Sequence, residues 1–157
     1  MEDTDMPGTS YDGSIELIYV ATDQPSDPKD PNEYTLVGLQ RSHSVNATAN
    51  EIDASNKEEG TATLPGEIGY TIPIEAIAPK EGDEGQDLLE EAFLNKSTIY
   101  WLGVIVPDES SPEAGTVGRY GRGKILQFTH TANRGEAATH SFQINGIGTY
   151  TRFMVST

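Results

Sequence analysis

Residues 98–106 read TIYWLGVIV and form the most apolar stretch of the chain. Their apolar side chains fall on both faces of an extended segment, whereas a strand with one solvated face would alternate between polar and apolar residues. We therefore predict that residues 98–106 form a central strand buried on both faces, with Trp101 in the core.

A helix is predicted directly before this strand. Residues 86–96, QDLLEEAFLNK, place Leu88, Leu89, Ala92 and Phe93 on one stripe. Acidic residues lie near the start of the segment and Lys96 near its end, as the helix dipole favours, and Asn95 is a candidate to close it. With a single apolar stripe, this helix is expected to cover one side of a sheet.

A hairpin is predicted after the central strand, from residues 123–132 and 139–147, which flank a turn at 133–136. Hydrophobic register favours pairing residue 130 with residue 140. That register puts six side chains on one face: His130 and His140, Phe128 and Phe142, Leu126 and Ile144.

Four further segments complete the prediction. Strands are expected at 14–21 and 34–42, joined as a hairpin across the proline-rich loop 22–33, and at 67–78, where Pro73 indicates an edge position or a bulge. Residues 149–155 form either another strand or an arm. The expected fold is mainly β: a β-sandwich or partial barrel of about seven strands with one flanking α-helix.

Composition narrows the class of protein. The 157 residues suit one domain, and 25 acidic against 10 basic residues give a net charge of −15, which argues against non-specific binding to nucleic acid or anionic membranes. Such an acid excess also suits a protein of a salt-loving host. The charge is uneven, about −19 over residues 1–113 and +4 over 114–157. The two parts could attract each other between subunits, or both could simply be solvated.

Few residues of the sequence indicate a catalytic, metal-binding or cofactor-binding site. The chain has no cysteine, which excludes disulfides, zinc–thiolate sites and thiol catalysis. A cross-strand pair of His130 and His140 could hold a metal, but a catalytic site needs a third ligand, so a stacked pair is the favoured interpretation. There is no phosphate loop, dinucleotide fingerprint or nucleophile elbow. We expect no enzymatic activity, no cofactor and no metal.

The segment between the second and third predicted strands is unusually long and polar. A domain of this size rarely carries more than ~12–15 structureless residues without a function. A polar arm at 1–13, the proline-bearing strand and the uneven charge add exposed edges and complementary surfaces. Together these features describe a self-assembling subunit whose sheet edges are capped by neighbouring copies.

Several short motifs carry a resemblance that spans residues 14–148. They are Gly38-Leu39-Gln40-Arg41-Ser42, Asn50-Glu51-Ile52-Asp53 with Lys57, Leu64-Pro65-Gly66, the helix segment LLEEAFLN at 88–95, and Phe142-Gln143-Ile144-Asn145-Gly146. In their order and spacing, the chain resembles the major tail protein, or tail tube protein, of long non-contractile-tailed viruses. It departs from that family at residues 60–63, GTAT, where an aromatic residue is common.

The resemblance implies a structural virion protein. Six copies would form a ring whose inner strands join into a shared barrel, and stacked rings would form the tube through which viral DNA is ejected without sequence-specific binding. The implied partners are further copies of the chain, a tape measure protein, a tail terminator and distal tail or baseplate proteins, with no membrane. The implied location is the virion tail, assembled in the host cytoplasm.

The same resemblance divides the chain. Residues 1–13 form an N-terminal arm, 14–148 the tail-tube domain with a stacking loop at 43–66, and 149–157 a C-terminal strand or arm. The contacts between rings or subunits are assigned to ten residues: Arg41, Ser42, Asn50, Glu51, Ile52, Asp53, Lys57, Leu64, Pro65 and Gly66. We also predict that Arg41 and Lys57 form inter-subunit ion pairs, and that Arg119, Arg122 and Lys124 do not all face the bore.

Other classes of protein remain open from the residues alone. A monomeric β-sandwich binding module, for example for carbohydrate, would need exposed aromatic residues on one face. A hydrolase would need His130 or His140 in a cleft beside a serine. A secretion-system tube protein is a close relative of the tail-tube interpretation.

Overall fold

The computed structural model describes residues 10–53, 63–107 and 111–156, with residues 14, 51–53 and 63–66 as backbone. In these ranges the chain forms nine strands and one α-helix. The mainly β fold is as predicted, but there are more strands than the predicted seven. The elements are β1 (Glu16–Ala21), β2 (Thr35–Leu36), β3 (Gln40–His43), β4 (Asn46–Asp53), β5 (Thr63–Ile77), α1 (Glu84–Asn95), β6 (Thr98–Ile105), β7 (Val117–Thr131), β8 (Thr139–Gly146) and β9 (Thr151–Met154).

One antiparallel sheet contains every described strand. Its order is β2-β1-β6-β7-β8-β5-β3, with β4 also paired to β5 and β9 to β7. The predicted hairpin of β7 and β8 is present, and residues 149–155 contribute the strand β9 rather than an unpaired arm.

The strand β6 is buried on both faces, as predicted. Ile99 and Trp101 point into the main core beneath α1, whereas Leu102 and Val104 belong to a second apolar cluster on the opposite face. Tyr34, at the end of the proline-rich loop, packs against that second cluster. A central strand between two cores explains why its sequence shows no alternation.

The two ends of the sheet approach each other through side chains. Ile18 N donates a hydrogen bond to Gln40 Oε1 at 3.1 Å, and Gln40 Nε2 donates to Ile18 O at 2.9 Å. A side-chain amide on β3 therefore takes the place of a strand beside β1. The backbone ladder remains open at this seam, which gives a partial barrel.

The segment 34–42 is not one strand, contrary to the prediction. β2 pairs with β1 as the expected hairpin, but β3 pairs with β5 at the far end of the sheet. The chain changes direction at Leu39, whose φ of 56° lies in the left-handed region. Gly38 N meanwhile donates to the Asp83 carboxylate at 2.9 Å, which ties this turn to the helix.

The predicted pairing of Leu126 with Ile144 is also wrong. His130 does pair with His140, but a bulge between Ile125 and Gln127 shifts the register, so that Ile125 lies opposite Ile144. Ile125 is buried and Leu126 is 61% exposed. One extra residue in β7 turns the next side chain to the other face.

Pro73 lies inside the sheet rather than at an edge or bulge, because β5 pairs with β8 on one side and with β3 and β4 on the other. Its carbonyl accepts from Ser44 N at 3.3 Å, where β3 has ended and β4 has not begun. The missing N–H therefore faces an interruption in the neighbouring strand.

The helix ends differ slightly from the prediction. Asp83 caps the first turn by accepting from Gln86 N, and Lys96, not Asn95, closes the helix in a left-handed conformation.

Candidate assembly surface

The long polar segment folds back on itself. β4 pairs with the first part of β5 from Asn46 opposite Thr71 to Asp53 opposite Thr63, with a bulge between Ala49 and Glu51. The expectation of a long structureless excursion is therefore wrong, because alternating Thr, Ala and Ile side chains on a two-stranded ribbon gave only a weak strand signal. Residues 54–62, including Lys57, lie outside the described residues.

The predicted contact residues fall at two places. Arg41 and Ser42 are exposed on β3, near the root of the ribbon. Asn50, Glu51, Ile52 and Asp53 lie on the outer half of β4. Leu64, Pro65 and Gly66 lie on the facing part of β5, where Ile52 pairs with Leu64 and Glu51 with Pro65.

The ribbon extends beyond the body of the sheet. β5 pairs with β8 only from Thr71 to Ile77, so within the described residues its earlier part is paired on one side alone, with β4. Residues 46–50 and 67–69 are exposed, and Ile68 keeps 46% of its surface accessible. We name this two-stranded ribbon, 46–53 with 63–70, the β4–β5 arm.

A polar cluster lies at the root of the arm. His43 Nε2 is 2.9 Å from Glu16 Oε2, and the Tyr11 hydroxyl donates to the other oxygen of Glu16. The bond from His43 lowers the pKa of Glu16 to about 2, the Tyr11 bond and the charge of Arg119 act in the same direction, and burial opposes them.

A groove of about 590 Å³ opens beside this cluster along the seam between β1 and β3, and Arg41 is among its lining residues. Sequence reasoning missed the roles of Glu16 and Gln40. Each bonds a group more than 20 residues away, and no local pattern indicates such a contact.

The three cations of β7 divide between the two faces of the sheet. Arg119 lies opposite Arg152 of β9 and interacts with Glu16. Arg122 and Lys124 are an odd number of residues from Arg119 along β7, so their side chains lie on the other face of the sheet, where both are exposed.

Trp101 and His140 do not lie where a carbohydrate-binding module or a hydrolase would need them. Trp101 is fully buried, so it offers no aromatic binding surface. His140 Nδ1 bonds Gln86 Oε1 at 2.8 Å rather than a serine. In the described ranges, no group of three or more His, Asp or Glu is arranged to hold a metal ion. No described helix has the length and apolarity to cross a membrane.

The described chain thus forms an open antiparallel sheet with one covering helix and a projecting two-stranded arm. Residues 13–152 match the model of the phage tail tube protein family. The chain belongs to this family and is a structural protein of a virion tail. No curated protein matches it.

Solved structures show the same fold. The SPP1 tail tube, determined by solid-state NMR and cryo EM, has a TM-score of 0.73 at 15% identity, over 94% of this chain and 81% of that chain. A chain of the native gene transfer agent virion has a TM-score of 0.69 at 13% identity. The match covers 92% of this chain and 99% of that chain. The tail of the empty gene transfer agent particle was refined with C6 symmetry. One of its chains has a TM-score of 0.64 at 13% identity, over 90% of this chain and 98% of that chain.

Proposed function

We propose that six copies of this chain form a ring and that the rings stack into the tube through which viral DNA leaves. The family match over residues 13–152 carries this proposal. The C6 symmetry reported for the gene transfer agent tail, which shares the fold, supports the number of subunits. In such a ring, inner strands of neighbouring copies join into a shared barrel that caps open sheet edges.

The stacking loop 43–66, which overlaps the β4–β5 arm at 46–53 and 63–66, contributes the contacts between rings. A two-stranded ribbon is at best marginally stable by itself in water. The exposed Ile68 and the one-sided pairing of β5 give the arm apolar and backbone groups that a neighbouring copy can cover.

Charge supports contact between copies. Among the side chains that the structure describes, no lysine or arginine nitrogen lies within 4 Å of a carboxylate oxygen, and the contact found there is that of His43 Nε2 with Glu16 at 2.9 Å. The exposed Arg41 is therefore available to an acidic neighbour, and Lys57 is proposed to act in the same way. The opposite orientations of Arg119 and Arg122 support the prediction that the three β7 cations do not all face the bore.

The role is mechanical and electrostatic rather than enzymatic. DNA slides through the bore without base-specific contacts, because a surface that does not concentrate cations does not hold phosphates by counterion release. The proposed partners are the tape measure protein, the tail terminator and the distal tail or baseplate proteins. Assembly takes place in the host cytoplasm, and the acidic composition fits a salt-loving host.

Negative-stain electron microscopy of the purified chain, in molar salt and after dilution, tests the proposal. Rings or tubes with six-fold averages support it. Monomers in both conditions, even after addition of a tail initiator complex, contradict it and favour a binding module.

A variant tests the tip of the stacking loop. Because Asp53 pairs with Thr63, replacing residues 54–62 by Asn-Gly keeps the β4–β5 arm and closes it with a two-residue turn. Loss of stacking with a retained circular dichroism spectrum supports contacts between rings through residues 54–62. Normal tubes from this variant contradict a contribution of these residues to stacking. A matched control shortens the exposed 133–136 turn instead.

A further inference from the structure

The two histidines of the β7–β8 hairpin face each other near its turn, one residue pair before the strands are joined. His130 and His140 are direct cross-strand partners. Their ring centres are 4.9 Å apart and their planes are inclined by 57°, so the rings are not stacked in parallel. His130 is exposed to solvent and His140 is half-buried.

The hydrogen bonds of Gln86 define which nitrogen of His140 is free. Gln86 Nε2 donates to Gly38 O at 2.8 Å and to Ile77 O at 3.0 Å, so the amide nitrogen is identified by its two acceptors. Gln86 Oε1 must then accept the hydrogen of His140 Nδ1 at 2.8 Å. In the neutral ring, Nε2 of His140 therefore carries the lone pair.

This arrangement resembles the support given to metal-binding histidines. Such a histidine usually donates its second N–H to a carbonyl, carboxylate or water, which sets the tautomer and orients the ring. Here the supporting Gln86 is almost completely buried, at 1% exposure, and is held by two further hydrogen bonds. His140 is thus oriented before any ligand arrives.

The spacing of the rings suits one shared ion. Two imidazole nitrogens bonded to one ion at about 2.0–2.1 Å, with an angle at the metal of about 90–110°, place the ring centres about 4.5–5.2 Å apart. The observed 4.9 Å lies in this range.

The surroundings favour a bound cation. The carboxylates of Glu90 and Asp87 on α1 contribute a negative potential at His140. Phe128 packs against His140 with ring centres 5.2 Å apart and limits its movement.

We propose that His130 and His140 bind one divalent transition-metal ion of the Zn²⁺, Ni²⁺ or Cu²⁺ type. His140 contributes Nε2, His130 contributes one ring nitrogen, and water completes the coordination. In the described residues no third His, Asp or Glu joins them, so binding is moderate and exchangeable rather than structural. Imidazole donors predict tightest binding for Cu²⁺ and no competition from Mg²⁺.

Calorimetric titration of the full chain with CuCl₂, NiCl₂ and ZnCl₂ near neutral pH tests this site. His130→Phe keeps a ring beside His140 but cannot bind a metal, and its exposed position makes folding of the variant secure. His43→Gln is the matched control, because His43 is the third histidine and lies at Glu16 instead.

We expect one ion per chain in the parent, at least about tenfold weaker binding in His130→Phe, and unchanged binding in His43→Gln. Absence of saturable binding by the parent, equal binding by His130→Phe, or loss in His43→Gln would each overturn the proposal. A metal-dependent rise in melting temperature, present in the parent and absent in His130→Phe, is the second expected readout. Neither measurement depends on ring formation, so this inference stands or falls separately from the tail-tube role.

Discussion

Close packing around Tyr70 explains why glycines occur at two strand positions. Trp101 Nε1 donates to the Tyr70 hydroxyl at 3.0 Å, and that hydroxyl donates to Arg122 O at 2.8 Å. A Cβ on Gly146 would lie 2.1 Å from the Tyr70 ring, and one on Gly121 would lie 2.6 Å from the hydroxyl. These glycines make room for an aromatic residue rather than for a turn.

Gly146→Ala is expected to lower the free energy of unfolding by about 1–3 kcal/mol, since the added methyl group must displace a buried ring. Urea denaturation measures this change. Gly69→Ala is the control, because a Cβ there meets nothing within 4 Å. Equal effects of the two substitutions would contradict the packing described around Tyr70.

Glu16 should make the protein sensitive to acid. The pKa of Glu16 is lowered from 4.5 to about 2 in the folded chain, chiefly by the bond from His43. Its carboxylate therefore stabilises the fold above the unfolded pKa, and that contribution is lost as the pH falls from about 4.5 to about 2.

We expect the parent to lose up to about 2 kcal/mol more stability than Glu16→Gln across this interval, after allowance for solvent screening. Denaturation at several pH values measures the difference, with the exposed Glu75→Gln as control. Parallel pH profiles for the parent and Glu16→Gln would show that the bond from His43 contributes no stability.

At the scale of elements, the β7 bulge decides which side chains enter the core. The hairpin partners 130 and 140 were predictable from hydrophobic alternation, because that pattern specifies register. The bulge was not predictable, since Ile125 and Leu126 are adjacent and equally apolar. Only packing against Ile144 selects Ile125 for the inner face.

Ile125→Ala is accordingly expected to destabilise the protein by about 2–5 kcal/mol, as is usual for a buried isoleucine. Leu126→Ala should change stability by less than about 0.5 kcal/mol, as at most surface positions. Chemical denaturation of both variants distinguishes the two registers. A larger effect at Leu126 would restore the register without a bulge.

At the scale of the whole molecule, assembly is expected to depend on Arg41, which has no carboxylate partner among the described side chains, and, by the same proposal, on Lys57. Arg41→Ala and Lys57→Ala should each reduce ring or tube formation, and the difference from the parent should shrink as salt is raised, because salt screens exposed ion pairs. Sedimentation across a salt titration measures assembly. Lys80→Ala, at an exposed position, controls for the change in net charge. If both test variants assemble as well as the parent, the proposed ion pairs are excluded.

The sequence by itself determined the mainly β class, the helix over the core, the buried central strand, the His130–His140 pair and the relation to tail tube proteins. These follow from local periodicity and from ordered motifs, which a single chain displays along its length. The tertiary structure alone decided the open seam bridged by Gln40, the bulge in β7, the folding back of the β4–β5 arm and the support of His140 by Gln86. Each of these depends on groups brought together from separate elements. Such contacts are selected by packing and by hydrogen-bond satisfaction in three dimensions, and they leave no periodic trace in the sequence.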